Sequence, residues 1–226
     1  ITHLYMEEII DKHKGKRFWV CGSGGSLLDV IPSKIPKDDI IIACNSATYH
    51  FNKFNYAVFT DETANYSDWY LNLTKKRCRV ILLNRGIKTI KQRTIRIDKD
   101  FNTWSFNKAW EIKRVIGGYD VIHCAVNLAS LMGASEIILA GVDLKHYSST
   151  QKHAHSQQLV KDAPEWLTEL VSKSNAANEE LFDGNLGASL GGWNLIYEYN
   201  QLNITSIAVN GNLTIYPLKP FNEICK

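Results

Sequence analysis

The chain has 226 residues, 45% of them hydrophobic and 22% charged, with 26 Lys and Arg against 23 Asp and Glu, the size and balance of one soluble domain. A formal charge of +3 is too small for a chain that holds nucleic acid mainly by neutralising phosphates. Its apolar runs are strand-sized, far short of the roughly 20 residues that span a bilayer, and Ile1 to Glu8 has neither the basic nor the apolar region of a signal peptide.

In chain order, Leu4, Met6, Ile9, Ile10 and His13 fall at near-helical spacing, with Lys14-Gly15-Lys16 as a C-cap. Arg17 to Cys21, Asp39 to Cys44, Tyr56 to Phe59 and Arg79 to Leu83 follow as strands. Each is a continuous apolar run, the pattern of parallel strands covered on both faces. Ser26 to Val30 and Glu62 to Leu73 are predicted helices between them. Residues 85–115, with Lys88, Lys91, Arg93 and Arg96 among aromatics, read as an irregular excursion. Tyr119 to Met132 is a helix ended by Gly133, and Glu136 to Gly141 the fifth strand. Residues 144–200 form a His-rich loop and a helical lid; Asn203 to Val209 and Asn212 to Tyr216 are late strands. The whole reads as a single α/β domain over 1–226, an open parallel sheet with helices on both faces. Five cysteines, Cys21, Cys44, Cys78, Cys124 and Cys225, include no C-x-x-C pair, which fits free thiols in a reducing cytoplasm.

Chemistry concentrates at strand ends. Gly22-Ser23-Gly24-Gly25-Ser26 joins a strand to a helix start, where glycine backbone comes close to a ligand and helix N–H groups face an anion, so the turn is expected to hold phosphate. Leu27 stands where a dinucleotide fingerprint has its third glycine, and Asn45 where it has an acid, which disfavours a nicotinamide or flavin enzyme. Asp61 and Asp143 end the third and fifth strands; singly each reads as a cap or turn residue. Together with the glycine turn and Asn45 they point to one cleft, because ligands of open parallel sheets sit outside the strands' carboxyl ends.

Gly117-Gly118 precedes a second helix in which Asp120 occupies the first turn; that acid caps the helix but repels an anion. His146, His153 and His155 share one loop, where acid/base catalysis, phosphate contact, metal binding and a solvated loop all remain open. His123 reads as a packing residue. Trp166, Trp193, Tyr197 and Tyr199 serve either core packing or the wall of a base or acceptor pocket.

Gly22-Ser-Gly-Gly-Ser-Leu27, Cys44-Asn45, Thr60-Asp61, Gly117-Gly118, Ile137 to Leu144 and Lys152-His-Ala154, over about residues 15–156, resemble the MptE-like Rossmann family. That family includes archaeal 6-hydroxymethylpterin diphosphokinases and bacterial motility accessory factors implicated in placing nonulosonic acids on flagellin. The same order is similar to bacterial lipooligosaccharide sialyltransferases, which hold CMP-sialic acid with a G-x-G-x-S-L turn, a Cys-Asn strand end and a G-x-D strand end. This chain departs in having Gly25 where family members usually have Pro. Gly117-Gly118 also lies further from the next strand than the sialyltransferases' Ser-Gly pair.

The resemblance implies a bacterial, cytoplasmic transferase with a Rossmann-like fold. Its first form is a glycosyltransferase that takes a CMP-nonulosonic sugar to a small-molecule or glycan acceptor and requires no cofactor. Gly22, Ser23, Gly24, Gly25, Ser26, Asn45, Asp61, Gly117, Gly118 and Asp143 bind the nucleotide in this reading, and His153 or His155 is catalytic. The alternative is an ATP-dependent pterin diphosphokinase with Mg²⁺ on Asp61 and Asp143. A third class is a nucleotide-binding module without catalysis.

Overall fold

Strand interiors of this chain alternate two apolar sets, and each set meets its own layer. The computed structural model describes residues 9–83, 86–90, 94–96, 120–145, 159, 163–175, 189–198 and 202–226. Within them lies a seven-stranded sheet of β1 (Arg17–Cys21), β2 (Ile40–Cys44), β3 (Lys53–Phe59), β4 (Arg77–Leu82), β5 (Thr94–Arg96), β6 (Glu136–Ala140) and β7 (Ile204–Ser206). The spatial order is β5-β4-β3-β2-β1-β6-β7, and the pairs are parallel throughout. The sheet grows one way from β1 through β5, then resumes on the other side of β1 with β6. This reversal makes the β1–β6 boundary a topological switch point.

Helices are α1 (Asp68–Leu71), α2 (Val121–Leu131), α3 (Glu165–Asn175), a helical run α4 over 189–198, and α5 (Phe221–Ile224). One face of the sheet presents Phe18, Val20, Ile42, Cys44, Val58, Ile137 and Leu139 to α2, with Trp193 of α4 in the same cluster. The opposite face presents Trp19, Cys21, Ala43, Phe59, Ile138 and Ala140 to Leu27, Ala47, Trp69, Tyr70 and Phe221. Each strand thus sends successive side chains into different cores, so a period-2 pattern is apolar at both phases and looks continuous in sequence. All five cysteines are free and buried in these layers. Burial pushes the Cys21 and Cys44 thiols upward, which leaves them protonated and unreactive.

Several elements differ from the sequence reading. Residues 9–15 form turns, and the earlier part of the expected first helix lies outside the described residues; Gly15 ends the turns at φ +76°. Ser26 to Val30 is a short 3₁₀ turn, Gly25–Asp29, and Glu62 to Leu73 divides into two 3₁₀ turns around α1. The second stretch is rich in Ser, Asn, Asp and Thr, whose side chains compete for backbone groups and cut an α-helix short; Ser67, for example, donates its hydroxyl to the Thr63 carbonyl. Thr94–Arg96, within the expected excursion, adds the sheet's edge strand beside β4. Asn212 to Tyr216 forms no strand; Leu218 alone bridges to Ser206. Among the described residues no helix is long and apolar enough to cross a membrane.

At the sheet's N-terminal edge Asp39 accepts hydrogen bonds from Arg17 Nε at 2.8 Å and from Trp19 Nε1 at 2.9 Å, and the Trp19 side chain is fully buried. Removing this carboxylate strands a buried indole N–H and a cation together. Asp39→Ala is expected to cost roughly 2–4 kcal/mol of stability, read as a lower urea midpoint at unchanged m-value; a loss below about 0.5 kcal/mol shows that water replaces the carboxylate.

Candidate functional site

Parallel register carries the ends of β6, β1, β2 and β3 to one edge. Cys21 pairs with both Ala43 and Ala140, and Cys44 with Val58, so four strand ends lie side by side over about 14 Å at ordinary strand spacing. Helix α2 runs back antiparallel to the strands, which brings its N-terminus and Asp120 to the same edge. Gly22 to Ser26, Asn45, Asp61 and Asp143 all follow these strand ends, as their sequence positions predict. Gly117, Gly118, His146, His153 and His155 lie outside the described residues.

The tightest part is the junction of the β1 turn with the β6 loop. Gly22 N–H donates to the Ala140 carbonyl and Gly24 N–H to the Gly141 carbonyl, each at 2.8 Å. A Cβ on Gly22 lies 2.5 Å from the Gly141 oxygen, one on Gly24 2.9 Å from an Asp143 carboxylate oxygen, and one on Gly141 2.3 Å from the Gly22 oxygen. No side chain fits at these three positions. The glycines therefore let two loops approach each other, a role the sequence reading assigned to a ligand.

Ser26 and Asp143 close the same junction. Ser26 donates its N–H to Asp143 Oδ2 at 2.8 Å and its hydroxyl to Asp143 Oδ1, while Gly141 N–H donates to Ser26 Oγ at 2.9 Å. Asp143 is only 4% exposed. The N–H that a helix start offers to an anion is thus already held by a carboxylate of the protein. From below, Asn212 N–H donates to the Asp143 carbonyl at 2.7 Å and Asn212 Nδ2 to the Leu144 carbonyl at 2.8 Å.

Asn45 begins the 3₁₀ turn Asn45–Tyr49 at φ +49°, a left-handed conformation that Asn tolerates better than most residues. Its turn is fastened by Lys76 Nζ, which donates to the Thr48 and Phe51 carbonyls at 2.6 and 2.8 Å, and by the Tyr49 hydroxyl on Asp68. Asp61 sits exposed before Glu62–Tyr66, and its side chain makes no cap to that turn. Asp61 and Asp143, the pair implied for Mg²⁺, differ sharply, one open and one enclosed by Ser26. Among the described residues no three His, Cys, Asp or Glu side chains gather as a metal site.

Asp120 does more than the sequence reading gives it. Its Oδ1 accepts from Ile122 N–H at 2.8 Å and His123 N–H at 3.0 Å, and its Oδ2 from the Ser189 hydroxyl at 2.7 Å. One carboxylate therefore caps α2 and ties the start of α4 to it. Behind it His123 is wholly buried, with its ring edge-on to Trp193 at 4.8 Å and Nδ1 3.7 Å from Asp120. Trp193 is core, while Trp166 is 63% exposed and Tyr199 lies outside the described residues.

These features define a doubly wound α/β domain with a cross-tied glycine turn at its switch point. Its sequence matches no family model and no curated protein, but solved structures share its fold. Among them is the sialyltransferase CstII from Campylobacter jejuni in complex with the substrate analogue CMP-3FNeuAc, at TM-score 0.56 and 14% identity, covering 91% of this chain and 87% of that one. CstII with a trisaccharide acceptor and CMP gives TM-score 0.52 at 14% identity, with 91% and 86% covered. The monofunctional alpha-2,3-sialyltransferase Cst-I from Campylobacter jejuni gives 0.53 at 11% identity, with 96% and 82% covered.

Burial lowers the His123 pKa from its ordinary 6.5, with Asp120 and a Ser189 backbone hydrogen bond opposing the shift. The unfolded chain then takes up a proton near 6.5 that the folded chain refuses until lower pH. His123 stability is present above 6.5 and is lost as pH falls through the folded value. His13, lowered chiefly by burial, adds a slope of the same sign. Urea unfolding between about pH 7.5 and about pH 5.5 is expected to show this loss, and His123→Gln to flatten part of it. An unchanged slope in that variant assigns the acid loss to other groups.

Proposed function

We propose that this chain is a transferase that binds a nucleotide-activated sugar at the switch-point edge, and specifically a glycosyltransferase acting with a CMP-nonulosonic sugar. The observation that carries this reading is the pairing of the Gly22–Ser26 turn with the Gly141-Val-Asp143 strand end. It lies at the switch point of a fold shared, over nine-tenths of the chain, with sialyltransferases whose structures hold CMP or a CMP-sugar analogue.

In this reading the nucleotide lies along Gly22, Ser23, Gly24, Gly25 and Ser26, with Asn45 and Asp61 contacting ribose or base and Gly117 and Gly118 also assigned to nucleotide binding. Transfer breaks the bond between the sugar's anomeric carbon and the CMP phosphate oxygen, which departs with the electron pair. A bond forms from the acceptor hydroxyl to that carbon on the opposite face. The hydroxyl proton passes to a general base, the role given to His153 or His155. No step calls for a metal, because CMP leaves as a stable phosphate monoester.

A thermal-shift panel of CMP, CDP, UDP, GDP, ATP and a pterin, each with and without Mg²⁺, tests the reading. At about 100 times its Kd, CMP is expected to stabilise the fold by about 2.7 kcal/mol, a rise of roughly 5–10 °C that ignores magnesium. A shift confined to ATP with Mg²⁺ replaces the proposal with the MptE-like diphosphokinase reading, and no shift with any nucleotide removes both. His153→Ala/His155→Ala is expected to keep CMP binding and to lose roughly 100-fold or more in turnover. Unchanged turnover takes the catalytic role away from both histidines.

A further inference from the structure

We propose that His50 is a positioning residue of the switch-point edge: its ring ties the end of the Asn45–Tyr49 turn to the end of the Gly25–Asp29 turn, and so sets where Asn45 stands against Gly22 to Ser26. The role rests on the reading of that edge as a nucleotide site, in which both turns contact one ligand.

Strands β1 and β2 run in register as far as Cys21 and Ala43. Past that point each chain enters a 3₁₀ turn of five residues, and neither turn has a side chain capping its start. The far ends are fixed instead. Val30 N–H closes the first turn on the Leu27 carbonyl, His50 N–H closes the second on the Ala47 carbonyl, and His50 Nε2 lies 2.8 Å from the Val30 carbonyl. A carbonyl only accepts, so Nε2 carries the hydrogen and donates it. Val30 is buried, where a carbonyl left without a donor is costly. The His50 ring meets the buried Phe51 edge-on at 5.1 Å, which fixes its orientation.

This tie is the middle one of a series. Ser26 with Asp143 joins the segment after β1 to the one after β6, His50 with Val30 joins the segment after β2 to the one after β1, and Tyr49 with Asp68 joins the segment after β2 to the helix that follows β3. The strands lie in the order β3-β2-β1-β6, so side-chain hydrogen bonds link each neighbouring pair along the open edge. Ser26 fixes the glycine turn to the β6 side, while Lys76 and Tyr49 fix the Asn45 turn to the β3 and β4 side. His50 joins these two halves across a layer of Leu27, Val30, Ala47 and Phe51. Apolar packing is non-directional and tolerates a slide that a hydrogen bond resists.

NMR of the ligand-free wild type is expected to find the His50 ring hydrogen on Nε2; a ring that carries it on Nδ1 alone overturns the proposal. His50→Phe keeps a flat ring against Phe51 without the donor, and His50→Gln keeps a donor that reaches the Val30 carbonyl. In His50→Phe the amide resonances of Ser23, Gly24, Gly25 and Ser26 are expected to shift together with that of Asn45, and CMP affinity by calorimetric titration to fall about tenfold. His50→Gln is expected to recover it to within about threefold of the wild type. Asp39→Ala, at the opposite edge, is the control for lost stability alone and is expected to keep CMP affinity. Unmoved glycine-turn resonances or unchanged CMP affinity in His50→Phe overturn the role, as does a His50→Gln variant as weak as His50→Phe. If the Phe variant does not fold, His50→Asn, whose amide is too short to reach Val30, carries the same comparison. Failure of the wild type to bind CMP removes the nucleotide reading instead, and the ring tautomer with the paired amide shifts still decides whether His50 joins the two turns.

Discussion

Everything at the open edge depends on one contact between loops that are far apart in sequence. Ser26 and Asp143 are separated by 117 positions, and the hydrogen bonds between them tie the β1 turn to the β6 loop where the sheet divides. Strand β1 is central, paired with β2 on one side and β6 on the other. Loops leaving adjacent strands at a switch point diverge to opposite faces and leave a crevice. Here that crevice is drawn in at its base by the carboxylate and by three glycines that admit no Cβ.

The same constraint explains which parts of the molecule were legible in the sequence. Parallel strands buried on both sides leave an unmistakable trace, and Phe18 to Cys21, Ile40 to Cys44 and Ile137 to Ala140 carry it in full. The glycine turn, Asn45, Asp61 and Asp143 were readable as strand ends, and topology then assembles them. What each group does there was not readable. The sequence shows Gly22 and Gly24 as small and flexible, but the reason for their size is a carbonyl of Gly141, a contact that no local pattern reports. Short polar turns misled in the other direction: Glu62 to Leu73 reads as a helix, yet Ser67 interrupts it by donating its hydroxyl to the Thr63 carbonyl. Asn212 to Tyr216 has strand-like alternation but contains no partner-facing edge; Pro217 and Leu218 make the contacts to β7 instead.

Asp120 shows how the charge of an acid at this edge is managed. Read from sequence, it opposes any phosphate near the start of α2. In the structure its two oxygens take three donors, two from the helix N-terminus and one from Ser189, so much of its charge is compensated by hydrogen bonds and the helix dipole. Its cost to a neighbouring anion is reduced while its structural effect is large, because it holds α4 against α2 through His123 and Trp193. Two buried or half-buried carboxylates, Asp120 and Asp143, thus act on the protein itself.

Backbone strain falls in part at the same edge. Of the three non-glycine residues in the left-handed region among the described residues, Asp11 lies in the turns before β1, while Asn45 and Leu144 follow the strand-end segments of β2 and β6, where Gly141 joins them at φ +66°. Such conformations cost of order 1 kcal/mol or more for a side-chain-bearing residue, and they persist because surrounding contacts leave no alternative. Lys76 fastens the Asn45 turn, and Asn212 fastens the Asp143-Leu144 step. The strand interiors need no such support, since their two apolar faces hold them. A sheet whose middle is held by burial and whose open edge is held by individual hydrogen bonds has a rigid scaffold with a shaped rim. The rim is then set by a few named residues, while the two cores below it keep the fold.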